Sequence, residues 1–169
     1  MPAGPRDEMV STILAFFDEI GITYLYDRVS AESFLPGIEV RQGGLVIDRE
    51  SLQHPGDLLH EAGHLAVAPP VLRPSLNGEV VIPGTDANVL ELIAMLWSYA
   101  ACLHLKIEPA TVFHEGGYHG RSKSILANFE IGVFLGVHEL EAVGMTLSPA
   151  DAARRDRKPF PFMQKWLRD

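Results

Sequence analysis

The sequence predicts an α+β, mainly helical single domain covering residues 1–169, with a small antiparallel sheet ahead of the helix that carries its most concentrated polar chemistry. Three observations lead there. Apolar residues recur at the 3.6-residue period over several long segments, and most of the short β-branched and aromatic runs fall within residues 22–48. The densest proline cluster separates two helical segments instead of interrupting one. A hydrophobic fraction of 47% over 169 residues is enough to build a core without cross-links.

The first element is a helix from about Arg6 to Ile20, where Met9, Val10, Ile13, Leu14, Phe16, Phe17 and Ile20 form one apolar face and Gly21 stops it. Next, "ITYLY" (22–26) reads as extended, and "IEVRQGGLVID" (38–48) as two short strands in a hairpin around a Gln42-Gly43-Gly44 turn. His54-Pro55 puts a proline at a helix start, and that helix runs to about Ala68, where Pro69-Pro70 end it. Residues 69–84, with Pro69, Pro70, Pro74, Gly78, Pro83 and Gly84, read as a loop containing one short strand, "EVVI" (79–82).

A second long helix, from about Thr85 or Asn88 to Leu105, is apolar nearly all round and belongs in the core. A break at "IEPATVFHEGGYHGRS" (107–122) precedes a third long apolar stretch, about Ser124 to Met145. The spacing predicts one helix there, weakened by Gly132, Gly136 and Gly144. "SPAD" (148–151) offers a cap with proline at the first helical position, and "PFMQKWLR" (161–168) a short amphipathic piece that docks through Phe162 and Trp166.

Charge and cysteine content narrow the function classes. A net charge of −8 and a pI near 5.3 argue against a nucleic-acid partner, because such binding is driven by clustered Lys and Arg. The one basic run, "RRDRK" (154–158), is short and broken by Asp156. Cys102 is alone in an apolar run, which excludes an intramolecular disulfide or a thiolate cluster and suggests a buried, inert thiol. The N-terminus lacks the basic and apolar regions of a secretory signal, and no membrane span is expected, so the expected location is a reducing cytoplasm.

The chemistry lies in "GDLLHEAGHLAV" (56–67). On a helix, positions four apart share a face one turn apart, so His60 and His64 can bind one ion, and Glu61 can reach a water beside that ion without ligating it. That division suits zinc hydrolysis, in which a metal activates water and a carboxylate takes its proton. Leu58, Leu59, Leu65 and Val67 flank the trio, and ionisable groups among so many apolar neighbours need a partner.

A catalytic zinc wants a third protein ligand. Position 70, where an extended metzincin pattern requires histidine, is Pro70. The leading candidate is Glu91, at the start of the second long helix. Its rival role is to close that helix with Asn88 as a capping box. Thr85 and Asp86 offer an earlier cap, and a carboxylate buried beside Ala94 and Met95 needs a cation, which favours the ligand.

"HEAGH" followed by "ELIAMLWSYAA" resembles the zincin-fold metallopeptidases of the glutamate-ligand group, the gluzincins, and in particular the compact ImmA/IrrE-type proteins. The resemblance covers roughly residues 36–105. It implies a zincin-like domain in which His60, His64 and Glu91 hold Zn²⁺ and Glu61 is the general base. It also implies a small sheet before the active-site helix, near residues 38–48, whose edge strand pairs with an extended substrate. No DNA-binding domain accompanies it, so regulatory roles do not carry over.

A second cluster, "FHEGGYHG" (113–120), holds His114, Glu115, Tyr118 and His119 on a glycine-rich loop. Tyr118 or His119 could donate to the oxyanion of an attacked carbonyl, or these could be ordinary loop residues. His114 is the alternative third ligand should Glu91 be a cap. The sequence thus points to a Zn²⁺-dependent hydrolase with a peptide or protein substrate, self-association being left open. The rivals are a non-catalytic protein on the same scaffold and an amidohydrolase acting on a non-peptide amide.

Overall fold

A computed structural model describes residues 4–169. Among these residues are six α-helices and one three-stranded sheet, an α+β arrangement. Helix α1 (Pro5–Ile20) begins with proline at its first position and ends at Gly21, φ 83°, in the left-handed region. It buries Ile13, Leu14, Phe16 and Phe17.

Strands β1 (Tyr24–Tyr26), β2 (Ile38–Arg41) and β3 (Gly44–Ile47) follow. The expected hairpin is β2–β3, antiparallel from Ile38 opposite Ile47 to Arg41 opposite Gly44. Gln42 and Gly43 both take positive φ, 50° and 72°, as a type I′ turn requires. The sheet is mixed, however, and not antiparallel throughout. β1 pairs parallel to β3, Tyr24 opposite Leu45, giving the order β1-β3-β2. All four β3 residues are buried, so this strand needs a partner on each edge.

The proline-rich segment differs from its prediction as well. Residues 79–82 form no strand, although Val80 and Ile82 turn inward while Val81 stays exposed. The preceding residues instead close the outer edge of β2. Gly78 N–H donates to Val40 O (2.8 Å), and Gln42 N–H donates to Asn77 Oδ1 (3.0 Å). Farther along that edge, Ile38 N–H donates to Leu35 O and Ser33 Oγ donates to Ile38 O. Much of the outer edge of the hairpin is therefore taken up by the chain's own residues.

Two helices form the centre, α2 (Asp57–Val67) and α3 (Ala87–Leu105). Gly63 lets them approach so closely that a Cβ there would lie 2.8 Å from Ala94 O. Asp86 caps α3, its carboxylate accepting from the N–H groups of Asn88 and Val89. Among the described residues α3 alone has the length and mean hydropathy, 1.4, of a membrane span; here it is a core helix packed against α2.

The predicted third long helix is two, α4 (Ser122–Glu130) and α5 (Val137–Ala142). Gly132, at φ 77°, ends α4 in a Schellman motif, with Gly132 N–H donating to Phe129 O and Val133 N–H to Asn128 O. Gly144 ends α5 in the same way, through Glu141 O and Leu140 O. Gly136 instead permits close packing, since a Cβ there would lie 3.0 Å from Leu92 Cβ. Helix α6 (Pro149–Arg154) starts from the predicted Ser148 cap. The C-terminal piece is not helical. Trp166 docks edge-on against Phe16 and Trp97, but Phe162 is exposed and Phe160 and Met163 are buried in its stead.

Candidate metal centre

Helix α2 carries Asp57, His60 and His64 on successive turns of one face, and α3 brings Glu91 opposite them across the Gly63–Ala94 contact. His60 Nε2 and His64 Nε2 stand 3.1 Å apart. Glu91 straddles them, Oε1 lying 3.4 Å from His60 Nε2 and Oε2 3.2 Å from His64 Nε2. Two donors each about 2.0–2.1 Å from a tetrahedral zinc ion would stand about 3.3 Å apart. The three donor pairs match that spacing, so the residues fit the ion. The two imidazoles meet edge-on and the Glu91 carboxylate faces both, so all three groups present donor atoms to one point.

The Asp86 cap removes the rival role for Glu91, because Asn88 donates its backbone N–H to Asp86 and Glu91 is left to face the histidines. Glu91 is not buried as the sequence suggested. Its side chain is 43% exposed, against 12% and 13% for His60 and His64. The cluster is thus enclosed on the histidine side and open beside Glu91, where solvent enters.

Electrostatics without a metal follow from these contacts. Burial pushes the Glu91 pKa upward, but hydrogen bonds from His60 and His64 outweigh it and hold the carboxyl far below the usual range. Burial pulls His60 down, and the Glu91 contact, with the charges of Glu61 and Asp57, reverses that and leaves it raised. Glu61 offers an oxygen within 4.8 Å of the donor nitrogens of His60 and His64. Burial raises its pKa; the histidines oppose this, and Glu91 and Asp57 add to it. A carboxylate so shifted is a stronger base than one in water.

The second cluster lies against the same face. Tyr118 Oη is 3.1 Å from His60 Nδ1, the ring nitrogen facing away from His64 and Glu91, and the two rings meet edge-on. Burial, reinforced by Glu91, Asp57 and Glu61, raises the Tyr118 pKa and keeps it a phenol. The hydroxyl therefore contacts a histidine from behind, a different placement from that expected of an oxyanion donor. His119 is exposed, with no side-chain hydrogen bond among the described residues. His114 is turned away from the donor cluster, its Nε2 3.0 Å from Asp57 Oδ1, so the alternative third ligand is engaged elsewhere.

Asp57 is the residue that sequence reasoning missed. It is buried, at 8% exposure, and its signal was available: an acid three residues before His60, on the same helical face. His54 stacks on the His114 ring with centroids 3.8 Å apart, while His104 lies against Phe16 and Trp166. On α5, Glu141 pairs with His138 and accepts from the Ser148 N–H.

No family model matches the chain, and no curated protein and no solved structure matches it.

Proposed function

We propose that this chain is a zinc-dependent hydrolase of zincin type, most simply a metallopeptidase, with His60, His64 and Glu91 as the metal ligands and Glu61 as general base. The observation that carries this reading is the convergence of the Nε2 atoms of both histidines and both Glu91 oxygens at 3.1–3.4 Å. When bound, Zn²⁺ supplies Lewis acidity toward a carbonyl and toward water. Glu91 offsets part of the ion's charge and leaves one side open to solvent. Glu61, adjacent to His60 on α2, is within reach of a water on that side, can take its proton on a carboxylate oxygen, and can return it to the leaving amine. The resemblance of "HEAGH" and "ELIAMLWSYAA" to the gluzincins favours a peptide bond. The same residues could attack a non-peptide amide.

The test replaces Glu61 by Gln and measures bound metal together with hydrolysis of a mixed peptide library. The expected result is zinc retained at one per chain, with hydrolysis reduced about 10²–10⁴-fold. A parent protein that takes up no zinc refutes the site. One that binds zinc and cleaves neither peptides nor simple amides would establish the non-catalytic scaffold reading.

A further inference from the structure

We propose that the loop 113–122 is a positioning device for His60, latched to α2 by two contacts, His114 to Asp57 and Tyr118 to His60. The proposal rests on the reading of His60, His64 and Glu91 as a zinc site. It assigns Asp57, His114 and Tyr118 a role in holding one ligand.

The two anchor points on α2 are three residues apart, so the loop spans two successive turns of the metal-bearing face. At the first, His114 Nε2–H donates to the buried Asp57 carboxylate over 3.0 Å. A buried carboxylate left without such a partner is strongly destabilising. The His54 ring covers His114 from one side. Gly116 lies beside both rings, so close that a Cβ would stand 3.3 Å from His114 Nδ1 and 3.8 Å from His54 Nε2. The loop is then drawn closed on itself, because His114 O accepts both Ser122 Oγ–H, at 2.6 Å, and Gly117 N–H, at 3.1 Å. The residues that lead into the loop are also close to α2, since a Cβ at Gly56 would stand 2.2 Å from Thr111 O.

At the second point the backbone is strained. Tyr118, His119 and Gly120 take φ of 56°, 52° and 75° in succession. The left-handed region costs about 1–2 kcal/mol for each residue with a side chain, and a tyrosine there is an outlier. That turn sets the Tyr118 ring on Phe113, 5.2 Å between centroids, and delivers its hydroxyl to His60 Nδ1. Strain held by surrounding contacts is characteristic of sites where geometry matters. With Nδ1–H donated to Tyr118, the lone pair of His60 stays on Nε2, aimed at His64 and Glu91. His64 has no such support, since its Nδ1 is buried without a partner among the described residues. The loop therefore orients one histidine of the pair, and Tyr118 is a positioning residue.

The experiment measures zinc affinity by competition with a chelator for the parent, Tyr118→Phe, His114→Gln, the double variant, and Glu115→Ala as a loop control. Glu115 is exposed and, among the described residues, pairs only with exposed Lys123. Tyr118→Phe should weaken zinc about 10–100-fold and His114→Gln about 10-fold, as loss of an outer-shell partner does. The double variant should lose no more than Tyr118→Phe alone, because His114 acts through Tyr118. The visible absorption of saturating Co²⁺ should shift in Tyr118→Phe and match the parent in Glu115→Ala, a difference that reduced stability by itself would not produce. Equal affinity for Tyr118→Phe and parent overturns the proposal, and additive losses overturn the part given to His114. A parent that binds no zinc sinks the site reading as well, and is thereby distinguished from failure of the latch.

Discussion

The α2–α3 pair and the chain that follows it, residues 106–169, are built on opposite terms. In the pair, two regular helices are held together along their length, and every polar group that matters projects from a helix face: Asp57, His60, Glu61 and His64 from one, Glu91 from the other. In the following region the helices are short, each ended by a residue that leaves the right-handed region or by a turn, and the polar groups that matter sit on a loop. The first region supplies the candidate ligands and the second supplies what holds them. Helical periodicity alone pairs His60 with His64, whereas their surroundings come from residues 57 and 58 positions away in the chain, His114 to Asp57 and Tyr118 to His60.

The two regions should differ most in their response to glycine substitution. Gly63→Ala forces a methyl to 2.8 Å from the Ala94 carbonyl, against backbone that cannot swing aside. It should cost about 1–3 kcal/mol in urea denaturation and weaken zinc, because it moves Glu91 relative to His60 and His64. Gly132→Ala meets open space and only the strain of φ 77°, so it should cost about 1 kcal/mol and leave zinc affinity unchanged. Equal effects on metal binding would show that the helix–helix approach does not set the ligand spacing.

A smaller effect is expected at the start of α3. Asp86→Ala removes the acceptor for two backbone N–H groups and should lower stability by about 1 kcal/mol in the same assay. Zinc should still bind, since Glu91 lies beyond the first turn. Loss of zinc would mean that the cap, and not the packing, positions Glu91.

The smallest concerns pH and the far region. Burial pushes the Glu141 pKa up, but hydrogen bonds from the Ser148 N–H and Oγ and the contact with His138 outweigh it and hold the carboxyl below its ordinary 4.5. A carboxylate depressed on folding stabilises the fold above its unfolded pKa, and that contribution disappears as pH falls through the lower folded value. Parent and Glu141→Gln should therefore differ in urea midpoint near pH 7 and converge below pH 4.5. A gap unchanged at low pH would remove the charge from the account. Cys102 offers a check on burial itself: with its thiol pushed up to about 12 by burial and by Glu108, it should resist alkylation in the native protein at pH 8 and react once unfolded.

Legibility in the sequence follows the same division. Helix α1, the β2–β3 hairpin, α2 and α3 were readable because each depends on spacing within one segment: seven apolar residues on one face, a Gln-Gly turn, a proline start and a proline stop. Glu91 could be set beside the histidines as a candidate, and not as a cap, because an earlier cap, Asp86, was visible in the sequence. The third helix was misread because apolar content says nothing about where a chain turns; Gly132 and Gly144 end helices through backbone bonds that hydrophobic periodicity ignores. Phe162 and Trp166 looked equivalent, and only the aromatic group of Phe16 and Trp97 chose between them.

By itself the sequence determined the α+β class, the two central helices, and the presence of a paired-histidine motif with its carboxylates, because those are consequences of local periodicity and residue chemistry. Tertiary structure alone decided that β1 joins the sheet in parallel, that residues 76–78 lie along the β2 edge, and that His114 meets Asp57 and Tyr118 meets His60. Each of those is a contact between segments far apart in the chain. It is selected by which groups must be paired or covered once the core has formed, and no single stretch of sequence contains that information.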